Sequence, residues 1–145
     1  NVMNKKEKIK LREVTRNDFR FLYKLLKLRN PKINISHKKI PSFKEHMKFV
    51  MSRPYSKWYV VYHKKKKIGS VYLTKQNEIS IHLKNMNQII HQDVVKQIMM
   101  KNPRKRYLAN LSPQNMDGIK FFKKCGFTLV QHTYELDNED EVRNK

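Results

Sequence analysis

Cysteine, glycine, acidic residues and long apolar runs are all scarce in this chain of 145 residues. Its single cysteine, Cys125, excludes an internal disulfide framework and fits a reducing compartment, so we expect a cytoplasmic location. No run approaches the roughly 18 apolar residues of a membrane span, and no charged-then-apolar signal segment opens the chain. These absences predict that the chain has no membrane partner.

Acidic residues are outnumbered by basic ones, with Lys+Arg 33 against Asp+Glu 12 and a formal net charge of +21. Such a charge holds polyanions at low salt. The excess is mostly lysine spread through every segment, however, and no stripe of arginine and aromatic residues appears. This spread argues against nucleic acid as the partner, and an anionic small ligand explains a basic surface equally well. The histidines show no pairing with cysteine or carboxylates at metal-ligand spacing, so we expect no metal.

The length fits one domain over residues 1–145, with a core of about 8–136 and a flexible acidic tail at 137–145. Alternating and β-branched runs predict strands at 9–14, 57–62, 68–74, 78–83 and 106–111, with a charged turn at 63–66. A final strand or a pair of strands is predicted at 127–136. Helical spacing and capping residues predict helices at 15–28, 42–53, 92–100 and 115–125, with a polar loop at 85–90. This order predicts a mixed α/β fold with a largely antiparallel sheet.

The most specific stretch covers residues 115–127 and predicts a short amphipathic helix followed by a strand. Ile119 and Phe122 lie on one helical face, while lysines occupy the other. Gly126 stands where a helix ending in a left-handed residue requires glycine, and Phe127 opens the next apolar run.

This stretch resembles the signature of the GNAT superfamily of N-acyltransferases, Asn-x-x-(small)-x-x-(apolar)-(Tyr/Phe)-x-x-x-Gly-Phe. The order of elements resembles the same superfamily over about residues 9–136. The resemblance implies a GNAT-like fold with helices on both faces of the sheet, and acetyl-CoA as co-substrate. It also implies that the strands at 78–83 and 106–111 splay apart to admit the pantetheine arm. The implied cofactor-binding residues are His82, Leu83, Lys84, Gln88, Ile89, Ile90, His91, Gln92, Asn115, Phe122 and Lys124.

Two features depart from the pattern of the superfamily. The segment from Gln88 to Gln92, which aligns with a phosphate-binding loop, contains no glycine. Phe122 stands where many members carry a tyrosine that protonates the leaving thiolate, and phenylalanine has no proton to donate. One alternative is therefore a GNAT-shaped binding protein without catalysis.

Two residues of the strand at 78–83 are candidates for the general base that takes a proton from the acceptor amine. Glu78 begins the strand, and His82 lies four residues later on the same face, since the side-chain period of a strand is two. Each could equally be a structural group, Glu78 as an exposed strand-end carboxylate and His82 as a packed imidazole.

The closest resemblance within the superfamily is to enzymes that acetylate amino groups on nucleotide-linked sugars. It implies that Arg29 and Asn30, which close the first helix, contact the acceptor. The expected function is therefore N-acetyl transfer from acetyl-CoA to a primary amine, with a homodimer compatible with the chain. A protein or peptide N-terminus as acceptor and a basic nucleic-acid-binding module remain the alternatives.

Overall fold

The computed structural model describes residues 9–29, 39–85 and 87–138. Its strands are β1 (Ile9–Glu13), β2 (Lys57–His63), β3 (Lys66–Leu73) and β4 (Ile79–Leu83). Its α-helices are α1 (Phe19–Lys27), α2 (Phe43–Met51), α3 (Gln88–Lys101) and α4 (Met116–Lys124), and a 3-10 turn (Arg16–Asp18) leads into α1.

The strands form one antiparallel sheet in the order β1-β2-β3-β4. The turn between β2 and β3 is tighter than predicted, because Lys64 and Lys65 both adopt positive φ angles, 52° and 66°. Gly69 in β3 lies against β4 so closely that an added Cβ would stand 2.3 Å from the carbonyl oxygen of His82. The absence of a side chain at Gly69 therefore sets how near β3 and β4 approach.

Helices cover both faces of the sheet, as expected. On one face, Val94 and Ile98 of α3 join Val61, Val71 and Leu73 of the strands in a fully buried cluster. On the other face lie α1 and α2. The ring of Phe49 in α2, for example, packs edge-on against Trp58 of β2 at 6.2 Å.

Both capping boxes predicted from the sequence are present. The Thr15 hydroxyl accepts a hydrogen bond in the 3-10 turn while the Asp18 carboxylate accepts from the Thr15 N–H at 2.8 Å. Ser42 and Glu45 make the same reciprocal pair at the start of α2. These local signals placed the beginnings of both segments correctly because a cap needs only neighbouring residues.

The polar loop predicted at 85–90 is wrong in its second half, because α3 begins at Gln88 and not at Gln92. Asn87 caps the helix, with its Oδ1 accepting from the Ile90 N–H at 3.1 Å. Asparagine is among the preferred residues at this position. The apolar residues Ile89 and Ile90 are therefore helical.

The strands predicted at 106–111 and 127–136 are also wrong as regular strands. Residues 106–111 share only an isolated parallel bridge with the sheet, between Glu78 and Leu108. Residues 128–136 are exposed and join no ladder within the described part of the chain. Both segments have strand-forming composition, but a strand exists only where a neighbour satisfies its backbone.

Candidate functional site

The backbone of β4 has one side paired with β3 and one side largely unpaired. The Lys84 N–H donates to Ile68 at 2.8 Å and the Glu78 carbonyl accepts from Thr74 at 2.9 Å, so even-numbered residues face β3. Because pairing alternates along an antiparallel strand, the N–H and C=O groups of Ile81 and Leu83 face the other side. Of His82, Leu83 and Lys84, which are among the implied cofactor-binding residues, only Leu83 directs its backbone groups to this side, because His82 and Lys84 face β3. Ile81 was missed by sequence reasoning.

The neighbouring segment meets β4 at one end only. The Ile79 N–H donates to Leu108 at 2.7 Å, and the Leu108 N–H donates to Asn77 at 2.9 Å. Beyond Ile79, no backbone hydrogen bond joins β4 to residues 109–111, all of which are described. The predicted end of pairing between these two segments is therefore present, and it leaves unpaired backbone groups along one side of β4.

An apolar surface lies beneath this opening. Val95, Phe121 and Phe122 form a buried cluster, against which Ile81, Met99, Ala109, Leu111, Cys125 and Phe127 pack. Phe122 is 6 % exposed and contacts the rings of Phe121 and Phe127, each at 5.1 Å. Phe122 is thus a core residue that helps to form the floor of the opening. Burial also raises the pKa of the Cys125 thiol in this layer, which leaves it protonated at neutral pH.

The N-terminus of α3 lies beyond the free end of β4. The N–H groups of Gln88 and Ile89, the first two of the helix, have no intrahelical acceptor, and the helix dipole favours an anion there. The Lys124 ammonium at the end of α4 lies 3.5 Å from Gln88 Oε1, which brings a cation to the same place. Ile89 is 71 % exposed, whereas Ile90 packs against the main core and Gln92 is half-buried one turn along.

Asn115 caps α4 rather than extending freely into the opening. Its Oδ1 accepts a hydrogen bond from the Gly118 N–H at 3.0 Å. A Cβ added to Gly118 would stand only 2.5 Å from the Asn115 Nδ2. The small residue of the motif is therefore explained locally, because a side chain there would displace the capping amide. The Nδ2 group carries two N–H donors in addition to this cap.

His82 lies on the face of β4 opposite to the α3 core. The pKa of His82 is lowered to about 4, mainly by burial and further by the positive charges of Arg29 and His91. The imidazole is neutral at physiological pH as a result. Burial also lowers the pKa of His91, whose Nδ1 lies 2.8 Å from the Asn87 carbonyl oxygen. The two described residues whose charges shift the pKa of His82 are Arg29 and His91. Both are bases, so neither contributes a negative charge near His82.

Glu78 is at the far end of the strand from His82. Four residues at about 3.3 Å each separate the two by about 13 Å along β4. The Glu78 carboxylate accepts from the Thr74 hydroxyl at 2.8 Å and from the Asn110 amide. These bonds tie Glu78 to the point where β4 and residues 106–111 join, so the two candidate bases do not converge on one place.

Arg29 follows the end of α1 and lies near enough to His82 and Tyr55 to influence both of their pKa values. Asn30, the other predicted acceptor contact, lies outside the described residues. Sequence reasoning missed Tyr55 and Tyr72, whose parallel rings stack at 3.7 Å on the His82 face. Burial raises the pKa of Tyr55 above its ordinary value, and its neighbour Tyr72 raises it further. The aromatic run at 55–62 was a signal for these residues, but it was assigned to the strand alone.

Residues 9–29, 39–85 and 87–138 hold no group of three or more histidine, cysteine or acidic side chains arranged to bind a metal ion. None of the helices in those same ranges is long and apolar enough to cross a bilayer.

The architecture is similar to that of several solved structures. A domain from Methanocaldococcus jannaschii DSM 2661 superposes with a TM-score of 0.77 at 24% identity, over 89% of this chain and 94% of that one. Spermidine N-acetyltransferase SpeG from Vibrio cholerae, in complex with CoA and spermine, gives 0.70 at 18% identity over 86% and 83%. RimL, a ribosomal L7/L12 alpha-N-protein acetyltransferase in complex with coenzyme A, gives 0.67 at 17% identity over 85% and 81%. No protein-family model matches the sequence, and no curated protein matches it either.

The chain therefore has the mixed α/β fold of the GNAT acetyltransferases, as the sequence predicted. At these identities the likeness concerns the fold, and the acceptors of SpeG and RimL are properties of those proteins.

Proposed function

We propose that this chain is an N-acetyltransferase that moves the acetyl group of acetyl-CoA to a primary amine. The end of pairing between β4 and residues 106–111 supports this proposal most directly. It leaves the backbone of Ile81 and Leu83 unpaired over an apolar floor, which suits a pantetheine arm carrying both amides and methyl groups. The amine nitrogen attacks the thioester carbonyl, the C–S bond breaks, and the CoA thiolate leaves.

The surroundings of that opening also suit the rest of the co-substrate. The first N–H groups of α3 would donate hydrogen bonds to the pyrophosphate, and the Lys124 ammonium beside them would contact a phosphate. The segment from Gln88 to Gln92 contains no glycine, but it is helical rather than a loop. Its first N–H groups are therefore exposed at a helix N-terminus, and no glycine is needed to bring them near a phosphate. A backbone N–H of β4 would stabilise the oxyanion of the tetrahedral intermediate.

His82 is our candidate for the group that takes the amine proton. Its imidazole is neutral and unprotonated at physiological pH, and the nitrogen of the attacking amine becomes strongly acidic as it bonds to the carbonyl carbon. A weak base can therefore accept that proton. Phe122 has no proton for the thiolate, which is a good leaving group because thiols are much more acidic than alcohols. Glu78 would act as a positioning residue that holds residues 106–111 at their junction with β4.

The acceptor we propose is an amino sugar on a nucleotide carrier. Arg29 gives the His82 side of the site positive potential, and no carboxylate among the described residues contributes to the pKa shift of His82. Such a site disfavours a polycationic amine such as spermidine and favours an acceptor with an anionic group, as a nucleoside diphosphate sugar has.

Calorimetric titration with acetyl-CoA at physiological salt tests the co-substrate, and release of free CoA thiol with a panel of amines tests the reaction. The panel contains a nucleoside diphosphate-linked amino sugar, spermidine and a peptide with a free N-terminus. We expect saturable binding and turnover with the nucleotide sugar. Absence of acetyl-CoA binding overturns the proposal, and binding without turnover of any amine identifies a binding protein. Turnover of the peptide alone refutes the sugar while retaining the reaction.

Lys124→Ala and Lys123→Ala provide a matched pair for the co-substrate site, since both lysines end α4 and only Lys124 approaches Gln88. We expect Lys124→Ala to weaken acetyl-CoA binding by up to about fivefold, the effect of one exposed charge. Lys123→Ala should leave the affinity unchanged. Equal effects of both variants would assign the contribution to general surface charge.

A further inference from the structure

Lys84 follows the last residue of β4 and directs its side chain to the same face of the sheet as His82. Side chains two residues apart share a face of a strand, so the Cα atoms of His82 and Lys84 lie about 6–7 Å apart. The Lys84 N–H donates to the Ile68 carbonyl at 2.8 Å, which continues the pairing with β3 beyond Leu83. The base of the Lys84 side chain is therefore fixed by the sheet.

The Phe21 ring of α1 holds the other end of this side chain. The Lys84 ammonium lies over the ring, 5.1 Å from its centroid. Because α1 covers the face of the sheet opposite to α3, this contact places the ammonium on the His82 side. The negative potential of an aromatic face attracts a cation without neutralising it, so the charge stays available to an anion.

A second lysine beside the same ring has a compensated charge. The Lys67 ammonium lies 5.8 Å from the Phe21 centroid, but it also donates to the buried Asp18 carboxylate at 2.7 Å. Within the part of the chain that the structure describes, no carboxylate comes within ion-pair distance of Lys84, which is exposed. Of the two cations at Phe21, Lys84 is thus the one free to bind a ligand.

The position of the Lys84 ammonium separates it from the proposed phosphate site of the co-substrate. That site, at the N-terminus of α3, belongs to the opposite face of the sheet. Lys84 also acts on a different part of the acceptor side from Arg29, because the charge of Arg29 shifts the pKa of His82 and that of Lys84 does not. The acceptor side therefore carries a cation besides Arg29.

The spacing suits an acceptor that carries both an amine and a phosphate. In a nucleoside diphosphate-linked amino sugar, one sugar ring separates the amine from the first phosphate. The short separation of His82 and Lys84 lets one such molecule place its amine at the first residue and its phosphate at the second. A lysine ammonium has three donors on a flexible stem, which suits a phosphate group.

We propose that the Lys84 ammonium binds a phosphate of the acceptor and so sets the position of the acceptor amine relative to His82. Phe21 is a positioning residue that holds the ammonium. This inference rests on the proposed acetyl transfer to an amino sugar on a nucleotide carrier, and it adds the residue that selects phosphate-bearing acceptors.

Steady-state kinetics of Lys84→Gln tests the contact with two acceptors, a nucleoside diphosphate-linked amino sugar and the same amino sugar without the nucleotide. We expect KM for the nucleotide sugar to rise about tenfold, the effect of one charge-assisted hydrogen bond. KM for the free amino sugar, KM for acetyl-CoA and the pH dependence of kcat should not change. Lys66→Gln, which alters an exposed lysine of β3, should behave as the wild type.

Two kinetic outcomes overturn the inference. An unchanged KM for the nucleotide sugar in Lys84→Gln excludes the contact with its phosphate. A rise in KM for acetyl-CoA, without a rise for the nucleotide sugar, assigns Lys84 to the co-substrate.

Binding of uridine diphosphate tests the anion site apart from catalysis. Calorimetry is performed with the co-substrate site saturated with CoA, on wild type, Lys84→Gln and Phe21→Leu. We expect binding to weaken about tenfold in Lys84→Gln and about threefold in Phe21→Leu, which keeps an apolar side chain but loses the ring. Urea unfolding of Phe21→Leu shows whether its fold is intact.

The calorimetric result separates failure of this inference from failure of the proposed function. No binding of uridine diphosphate, or equal binding by wild type and Lys84→Gln, overturns the anion site. Binding that depends on Lys84, in a chain that acetylates no amino sugar, supports the anion site and contradicts the proposed reaction.

Discussion

At the scale of single residues, burial decides which imidazoles are available for chemistry. His46 in α2 is 7 % exposed and packs between the rings of Tyr23 and Phe49. His82 is half-buried, on the face of the sheet where Arg29 and the stacked tyrosines lie. Burial lowers the pKa of both groups, so both are neutral at physiological pH. Their surroundings nevertheless differ, because only His82 has charged neighbours that shift its pKa.

His82→Gln tests the role of the imidazole. We expect kcat to fall by about 100-fold, the contribution typical of a general base, while KM for acetyl-CoA changes by less than about threefold. Steady-state kinetics with varied acetyl-CoA separates the two constants. His132→Gln, which alters an exposed histidine, should retain wild-type kcat. Wild-type kcat in His82→Gln would exclude the imidazole as the base.

His46 makes the stability of the fold sensitive to acid. Its pKa in the folded state is below 6.5, so between the unfolded and folded pKa values the unfolded chain binds more protons. The free energy of unfolding should therefore decrease as pH falls below about 6.5. Urea unfolding at about pH 7.5 and about pH 5.5 measures this decrease, which should be smaller in His46→Phe. An equal decrease in both proteins would assign the effect to other groups, among them His82.

At the scale of elements, the contact between β3 and β4 fixes the orientation of the site. Gly69 permits the close approach of the two strands, since Leu83 lies directly across from it and the His82 carbonyl oxygen is next to it. A change in packing at Gly69 would therefore move both the candidate base, His82, and the unpaired backbone groups of Leu83.

Gly69→Ala should destabilise the protein by about 1–3 kcal/mol, because the added Cβ would meet backbone atoms that move only with the strand. Activity should fall as well, since the displaced atoms belong to His82 and Leu83. Gly126→Ala is the matched control. Its Cβ would meet open space, so the positive φ of 98° alone should cost about 1 kcal/mol and leave the kinetics intact. Urea unfolding and kcat/KM measured on both variants distinguish the two effects.

Local signals in the sequence were sufficient where a structure depends on neighbouring residues. The capping boxes at Thr15 and Ser42, the helix over 115–125 and the alternation in β4 were all predicted from short windows. The start of α3 was missed because the Asn87 cap was not recognised ahead of two apolar residues. The strands predicted at 106–111 and 127–136 are wrong because strand pairing depends on residues distant in the sequence, which a short window does not contain.

At the scale of the whole molecule, the net charge of +21 produces a long-range positive electrostatic potential. This potential adds to that of the charged groups in the site. Arg29 is a cationic group near the proposed acceptor. An anionic acceptor would be attracted by this field, and salt would screen the attraction.

We therefore expect KM for a nucleoside diphosphate-linked amino sugar to rise severalfold between low and physiological salt, and KM for spermidine to fall or remain constant. Arg29→Gln should raise KM for the nucleotide sugar by about tenfold, the loss of one charge-assisted hydrogen bond. Arg20→Gln, an exposed arginine in α1, should have little effect. Salt-independent kinetics with an anionic acceptor would refute the electrostatic account.

The sequence by itself determined the fold class of this protein, the caps of its helices and the motif at 115–127, because these depend on local periodicity and on backbone conformation. Tertiary structure alone decided that Ile81 and Leu83 carry the unpaired backbone groups and that Glu78 and His82 lie apart. It also decided that Arg29 lies near both His82 and Tyr55, and that Tyr55 stacks on Tyr72. Each of these features depends on which strands pair and where pairing stops, and pairing is a contact between residues distant in the chain.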